Sequence, residues 1–274
     1  MLSITTIHIR HAKKTVLLAS ALMLSSTPLF AAMPLVTDDT GTQGAGHSQI
    51  EIGVESATNK ETEAGVSYKL TGGATSATLT YGLTDKIDLI AGMPWEWYTV
   101  KENGLKVADE NGIGDLALQI KWRFYEIPDS GFSLALKPGI TLPTGDENKG
   151  LGTGKISSNV TLIATREAKL ATFHVNLGYS RNAYKLDEIS ESSRKNIWHA
   201  SIASELNVTD KLRAVADIGI ETNPDKESDT DPAYILGGLV YAVNDNTDLD
   251  IGIKGSLNDA ETDTTLLAGV TMRF

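Results

Sequence analysis

The chain has 274 residues, no cysteine and a formal charge of −11. This composition excludes disulfide scaffolds, thiolate metal sites and thiol catalysis, and it leaves no basic face with which to displace the counterions of a nucleic acid. No segment beyond the first thirty residues has eighteen consecutive apolar residues, which excludes a helical membrane protein.

Taken from the N-terminus, Arg10, Lys13 and Lys14 precede an apolar stretch from Thr15 to Leu24, and small residues with Pro28 follow at once. That order predicts a cleaved signal peptide over 1–31, with cleavage after Ala31 or Ala32. Its removal takes three basic residues and no acidic one, so the charge falls from −11 to −14. Residues 32–47 are too polar for a membrane strand, and they fit either a plug of a lumen or a free periplasmic segment. From 48 to 274 apolar and polar residues alternate in runs long enough for a tilted strand to cross a bilayer. In the last run Leu266, Ala268, Val270, Met272 and Phe274 share one face, while Thr265, Gly269, Thr271 and Arg273 share the other. Helical spacing would mix these two sets, so period two is the better fit.

The pattern predicts an all-β fold, a transmembrane antiparallel up-and-down barrel of about twelve strands. The expected strands are 48–57, 73–82, 86–98, 112–125, 131–142, 155–166, 169–181, 195–207, 211–222, 233–243, 247–257 and 262–274. Short connections alternate with longer ones rich in Gly, Asp, Glu, Lys and Ser, as expected for periplasmic turns and extracellular loops of an outer-membrane barrel. Three short ones share a turn grammar of Asp or Asn, whose side chains bond the backbone of a tight turn. On this topology Tyr81, Trp122, Phe124, Tyr241 and Phe274 gather near one bilayer interface, and Trp95, Trp97, Tyr179 and Trp198 near the other.

The inward parity carries both charge signs. Lys121, Arg123, Lys137, Asp88, Asp115, His174 and Arg213 are the candidate substrate-binding residues, although charges of opposite sign on neighbouring strands can also satisfy one another. Lys121, Arg123 and Lys137 would form a basic strip able to attract a carboxylate or phenolate through a low-dielectric wall. The mature histidines are His47, His174 and His199; His174 would lie near Ser201 or Ser204, but there is no nucleophile-elbow sequence, and no enzymatic activity is expected. The acids of Asp225, Asp229 and Asp231 lack the glycine and closing Glu of an EF-hand and read as a solvated loop. Gly145 with Gly150, Gly152 and Gly154 lack the strand-to-helix setting of a phosphate loop and read as flexibility. No cofactor or metal is expected.

The chain ends in Met272-Arg273-Phe274 on an alternating strand, which looks like the signal read by the barrel-assembly machinery of Gram-negative bacteria. Pro34-Leu35-Val36-Thr37-Asp38-Asp39-Thr40-Gly41, Gly112-Ile113-Gly114-Asp115-Leu116, Leu142-Pro143-Thr144-Gly145-Asp146 and the glycines of 150–154 sharpen the likeness. Together they resemble the family known as putative MetA-pathway of phenol degradation, from about Pro34 to Phe274. That resemblance implies a barrel in the cell outer membrane, bounded by lipid and lipopolysaccharide, and a link to aromatic catabolism. The expected function is a channel or transporter for small aromatic or hydrophobic solutes; the other reading is a closed structural or surface-interaction barrel acting through its acidic loops. The topology predicts that a cysteine placed at Ser228 reacts with an impermeant maleimide on intact cells and one at Asp245 does not. Reaction at Asp245 alone would invert it.

Overall fold

The computed structural model describes residues 33–63 and 65–274; the expected signal peptide lies outside them. Among the described residues the chain forms β1 (Ser48–Glu63), β2 (Val66–Thr84), β3 (Ile87–Glu102), β4 (Leu105–Ile113), β5 (Leu116–Ile127), β6 (Phe132–Leu142), β7 (Ser157–Glu167), β8 (Ala171–Arg181), β9 (Asn196–Asn207), β10 (Leu212–Glu221), β11 (Ala233–Asn244), β12 (Thr247–Ser256) and β13 (Thr264–Arg273). A short helix, α1 (Asp187–Ser192), sits between β8 and β9. Consecutive strands pair antiparallel, and β1 pairs with β13 as well as with β2, so the sheet closes on itself. Twelve strands make the wall, and β4 is an extra strand in line with β5. The upper part of β3 pairs with β4 (Trp95↔Ile113) and the lower part with β5 (Ile87↔Trp122), the two being separated only at Gly114 and Asp115. Closure removes the unpaired edges that a bilayer cannot solvate.

The alternation in sequence becomes an alternation between lipid and lumen. Along β12 the side chains of Leu249, Ile251 and Ile253 are exposed, while Asp248 and Asp250 are buried. Along β8 Val175 and Leu177 point out, and His174 and Asn176 point in. An apolar band on the outer face of a closed barrel is the solvent boundary expected in lipid and the reverse of a soluble domain. Tyr81, Trp122, Phe124, Tyr241 and Phe274 are exposed toward the short-turn end, and Trp95 and Trp198 toward the long-loop end. Tyr179 packs on Trp198, with ring centroids 4.7 Å apart. Trp97 is half-buried instead: it pairs with Gly73, and its ring lies over the place where a side chain at 73 would be.

Two expected loops, 58–72 and 99–111, are β-hairpins. β1 and β2 continue in register to Glu63↔Val66, and β3 and β4 meet at Glu102↔Leu105. The second turn is Asn103-Gly104 with φ of 48° and 85°, the pair of left-handed residues that a tight two-residue hairpin requires. The inner face of these extensions still buries Tyr68, Leu70 and Val100. Only at the tips, residues 60–62 and 103–107, are consecutive side chains exposed, so no apolar parity marks the strand there.

Ile120 lies on the outer face midway along β5 and is exposed to lipid. Ile120→Lys should cost about 2–4 kcal/mol, measured by denaturant titration of the barrel folded in lipid vesicles. Unchanged stability would contradict the lipid-facing assignment.

Candidate functional site

Residues 33–47 form no helix or strand of their own for most of their length, yet they lie inside the barrel. Starting from β1 and moving back along the chain, Gly46 donates its N–H to the Gly82 carbonyl at 2.8 Å, and Ala45 donates to the Asp85 carboxylate at 3.1 Å. The Gln43 N–H lies 3.1 and 3.2 Å from the two oxygens of Asp88. Thr40 donates to Thr165 Oγ1 at 3.1 Å and its hydroxyl meets Ser133 Oγ at 2.5 Å. The N–H groups of Val36 and Thr37 both donate to Asp217 Oδ2 at 2.8 Å. Thr37 Oγ1 also lies 2.7 Å from Ser201 Oγ. Leu35 is buried among Ala203, Val215, Tyr234, Leu236 and Val240. Pro34 sits on the wall at Gly238 and Gly252, where a side-chain carbon would come within 2.8 and 2.9 Å of the proline ring; only glycine allows that approach.

The centre of this segment is Asp38, buried to 2% exposure. Its two carboxylate oxygens are held by two lysines of adjacent strands, Lys121 on β5 at 2.8 Å and Lys137 on β6 at 2.5 Å. Asn176 on β8 meets the Asp38 peptide, accepting from its N–H at 2.7 Å and donating to its carbonyl at 2.9 Å. The physical demand behind these contacts is general. Irregular backbone at membrane depth survives only where protein satisfies its donors and acceptors, and Asp88, Asp217, Thr165 and Asn176 do so for this segment. Residues 33–47, in the segment for which the sequence left plug and free tail open, are thus bonded to the inner side of the wall.

The sequence-predicted residues separate into three groups. Lys121, Lys137 and Asp88 anchor the N-terminal segment. His174 and Arg213 belong to a self-paired network at the short-turn end. His174 Nδ1 is 2.9 Å from Thr165 Oγ1 and Nε2 is 3.3 Å from Glu205, so the ring pairs with these groups and not with Ser201 or Ser204. Glu205 pairs with Arg213 at 3.0 Å, Arg213 with Asp248 at 3.2 Å, and Asp248 with Arg273 at 3.0 Å. Arg123 lies near the same end, donating to the Asp85 carbonyl at 3.1 Å and standing 3.6 Å from Glu126. Asp115, by contrast, works at the long-loop end. It accepts from the N–H of Gly145 at 3.0 Å and of Thr153 at 2.8 Å, tying the β6–β7 loop to the top of β5.

That loop corrects a reading of its glycines as flexibility. Gly145 lies against the Leu151 carbonyl and Gly152 against the Asp115 carboxylate, while Gly150 and Gly154 take φ of 69° and 67°. They allow close packing and left-handed turns in an ordered loop. Leu151 is buried against Tyr98, Val100 and Leu70, and the Tyr98 hydroxyl donates to the Lys149 carbonyl at 2.8 Å. Lys185 closes on Glu147 at 2.5 Å, and this hydrogen bond holds the Glu147 carboxyl below its ordinary 4.5. The acidic β10–β11 loop is likewise organised rather than merely solvated: the Arg194 guanidinium donates to the carbonyls of Asn223 at 2.8 Å and Ser228 at 3.0 Å.

Sequence reasoning missed Asp38 and Thr37 as lumen residues because both precede the first strand; the only signal was that they stand in the opening motif. Two cavities flank the segment. One of about 400 Å³ is lined by Arg123, Glu126, Thr165, His174, Glu205 and Arg213 among others. The other, of about 370 Å³, lies against Glu51, Asp88, Ile90, Lys121 and Arg273.

The family model described as "Putative MetA-pathway of phenol degradation" matches residues 34–274, the lumen segment as well as the wall. The chain belongs to that family. An outer membrane channel from Pseudomonas putida F1 superposes with a TM-score of 0.68 at 13% identity, over 86% of this chain and 98% of that one. The NanC porin gives 0.54 at 10% identity, over 82% and 98%. The translocator domain of the autotransporter NalP from Neisseria meningitidis gives 0.51 at 13%, over 84% and 89%. At such identities the likeness is one of fold. No curated protein matches the sequence. With its lipid-facing wall and this architecture, the family member is a barrel of the outer membrane.

Proposed function

We propose that the protein is a channel for small aromatic or hydrophobic solutes, closed at rest by its own N-terminal segment. The observation that carries this reading is the anchoring of Asp38 by Lys121 and Lys137 in the middle of the lumen. A twelve-stranded wall encloses more room than the eight-stranded case that side chains can fill, and less than a water-filled sixteen-stranded porin. Here the chain fills that room with a removable element. Most of its anchors are hydrogen bonds and ion pairs, which water or a solute can replace one for one, and its apolar contacts come from Pro34, Leu35 and Val36 at one end. The family description supports an aromatic solute. The cavities beside the segment, lined by Arg123, Asp88 and Arg213 among others, supply room at the short-turn end for a solute leaving toward the periplasm.

Asp38→Ala tests this. Removing one partner of a buried ion pair leaves the others uncompensated, at a cost of about 3–5 kcal/mol, so the closed state should lose its advantage. Liposome-swelling rates with phenol or toluene should rise by an order of magnitude or more over the parent protein, with unaltered heat-modifiable migration in gels. Equal rates for both proteins would favour the closed structural barrel.

A further inference from the structure

Beside the lumen segment three neutral side chains on alternate strands hold buried polar atoms that no group satisfies: Gln119 Oε1 on β5, Asn159 Oδ1 on β7, and both ring nitrogens of His199 on β9. The sheet register brings the first two together. Gln119 and Asn159 both pair with Gly139, which lies between them on β6, and a side-chain carbon at 139 would come within 2.7 Å of Gln119 Cγ and 2.8 Å of Asn159 Oδ1. The amides therefore converge over the glycine. His199 pairs with Gly178, again a position without a side chain. Two of the three stand two residues along their strand from a residue that grips the segment, Gln119 from Lys121 and His199 from Ser201, and Gly139, beneath the two amides, stands two from Lys137. Next to Gln119, its register partner Ile90 packs with Ala117 as a small apolar patch on the inner wall of an otherwise polar lumen.

Buried polar atoms without partners are costly and are satisfied in most structures; in a channel a transient occupant can supply the missing hydrogen bonds. Gln119 and Asn159 offer carbonyl oxygens, and a neutral imidazole offers one N–H and one lone pair. A group that both donates and accepts fits this set. An anion does not: Asp38 occupies both nearby lysines, and Glu51, Glu96 and Asp250 add further unpartnered oxygens to the lumen wall. We propose that Gln119, Asn159 and His199 are the solute-recognition site, taking the hydroxyl head of a small neutral solute whose apolar body rests on Ile90 and Ala117, in preference to a carboxylate. This replaces the expectation of a basic strip selecting an anion.

The proposal rests on the channel reading, and the test separates the two. Equilibrium binding of phenol, benzoate, benzylamine and toluene to the detergent-solubilised full chain is measured by ligand-observed NMR, and swelling rates are measured in parallel. Phenol should bind more tightly than benzoate or benzylamine. Asn159→Leu and Gln119→Leu, on inward positions that leave the wall intact, should each weaken phenol by about five- to tenfold, the loss of one neutral hydrogen bond, and leave toluene unchanged. His199→Gln, which keeps a donor and an acceptor, should retain phenol binding. Benzoate or benzylamine binding at least as well as phenol, or Leu variants that bind phenol normally, would overturn the site while leaving the channel reading standing. Failure of every probe to bind or permeate would overturn both.

Discussion

One buried carboxylate between two lysines governs the interior. Asp38 lies on a segment with almost no secondary structure of its own, and the wall residues that hold it, Lys121 and Lys137, are separated from it by 83 and 99 positions. Without Asp38 two ammonium groups on neighbouring strands would face each other in a confined lumen; without the lysines a carboxylate would be buried alone. Each arrangement is unfavourable by several kcal/mol, so the segment and the wall define one another. The remaining contacts follow from this fixed point. Once Asp38 is pinned, the N–H groups on one side reach Asp217 and those on the other reach Asp88 and Thr165.

The same constraint explains the division of labour among the lumen charges. At the short-turn end His174, Glu205, Arg213, Asp248 and Arg273 pair with one another across five strands without the segment, a ladder that braces the wall. At the long-loop end Asp115 holds the β6–β7 loop. Between them lie Gln119, Asn159 and His199, whose buried polar atoms remain unpartnered beside the segment anchors. A barrel evolved only as a rigid wall would gain by pairing those atoms. On the proposed function, leaving them unpaired beside the segment suits a lumen that exchanges contents, because a solute able to pair with them favours the state in which it has access.

What was legible in the sequence was whatever depends on one residue's choice between lipid and lumen. Leu249, Asp250 and Ile251 announce their sides by hydropathy alone, and all twelve wall strands followed from such runs. The hairpin tips were not legible, since Lys60 and Glu61 or Lys106 and Asp109 meet water on either face; only the Asn103-Gly104 turn marked one of them. Nor were the partners of Lys121 and Lys137. Sequence places these two side by side and inward, which reads as a basic strip, and nothing local shows that an aspartate from before the first strand stands between them. Close approach was equally hidden: Gly145 and Gly152 look like flexibility until the Leu151 carbonyl and the Asp115 carboxylate are found against them.

The central claim is that the N-terminal segment must leave its place for solute to pass. The chain has no cysteine, and Thr37 Oγ1 and Ser201 Oγ lie 2.7 Å apart, so Thr37→Cys with Ser201→Cys can tie the segment to β9 with a single reversible bond. The direct measurement is phenol flux through vesicles carrying this double variant, oxidised and then reduced. The account predicts that flux is abolished on oxidation and returns on reduction; equal flux in the two states would contradict it.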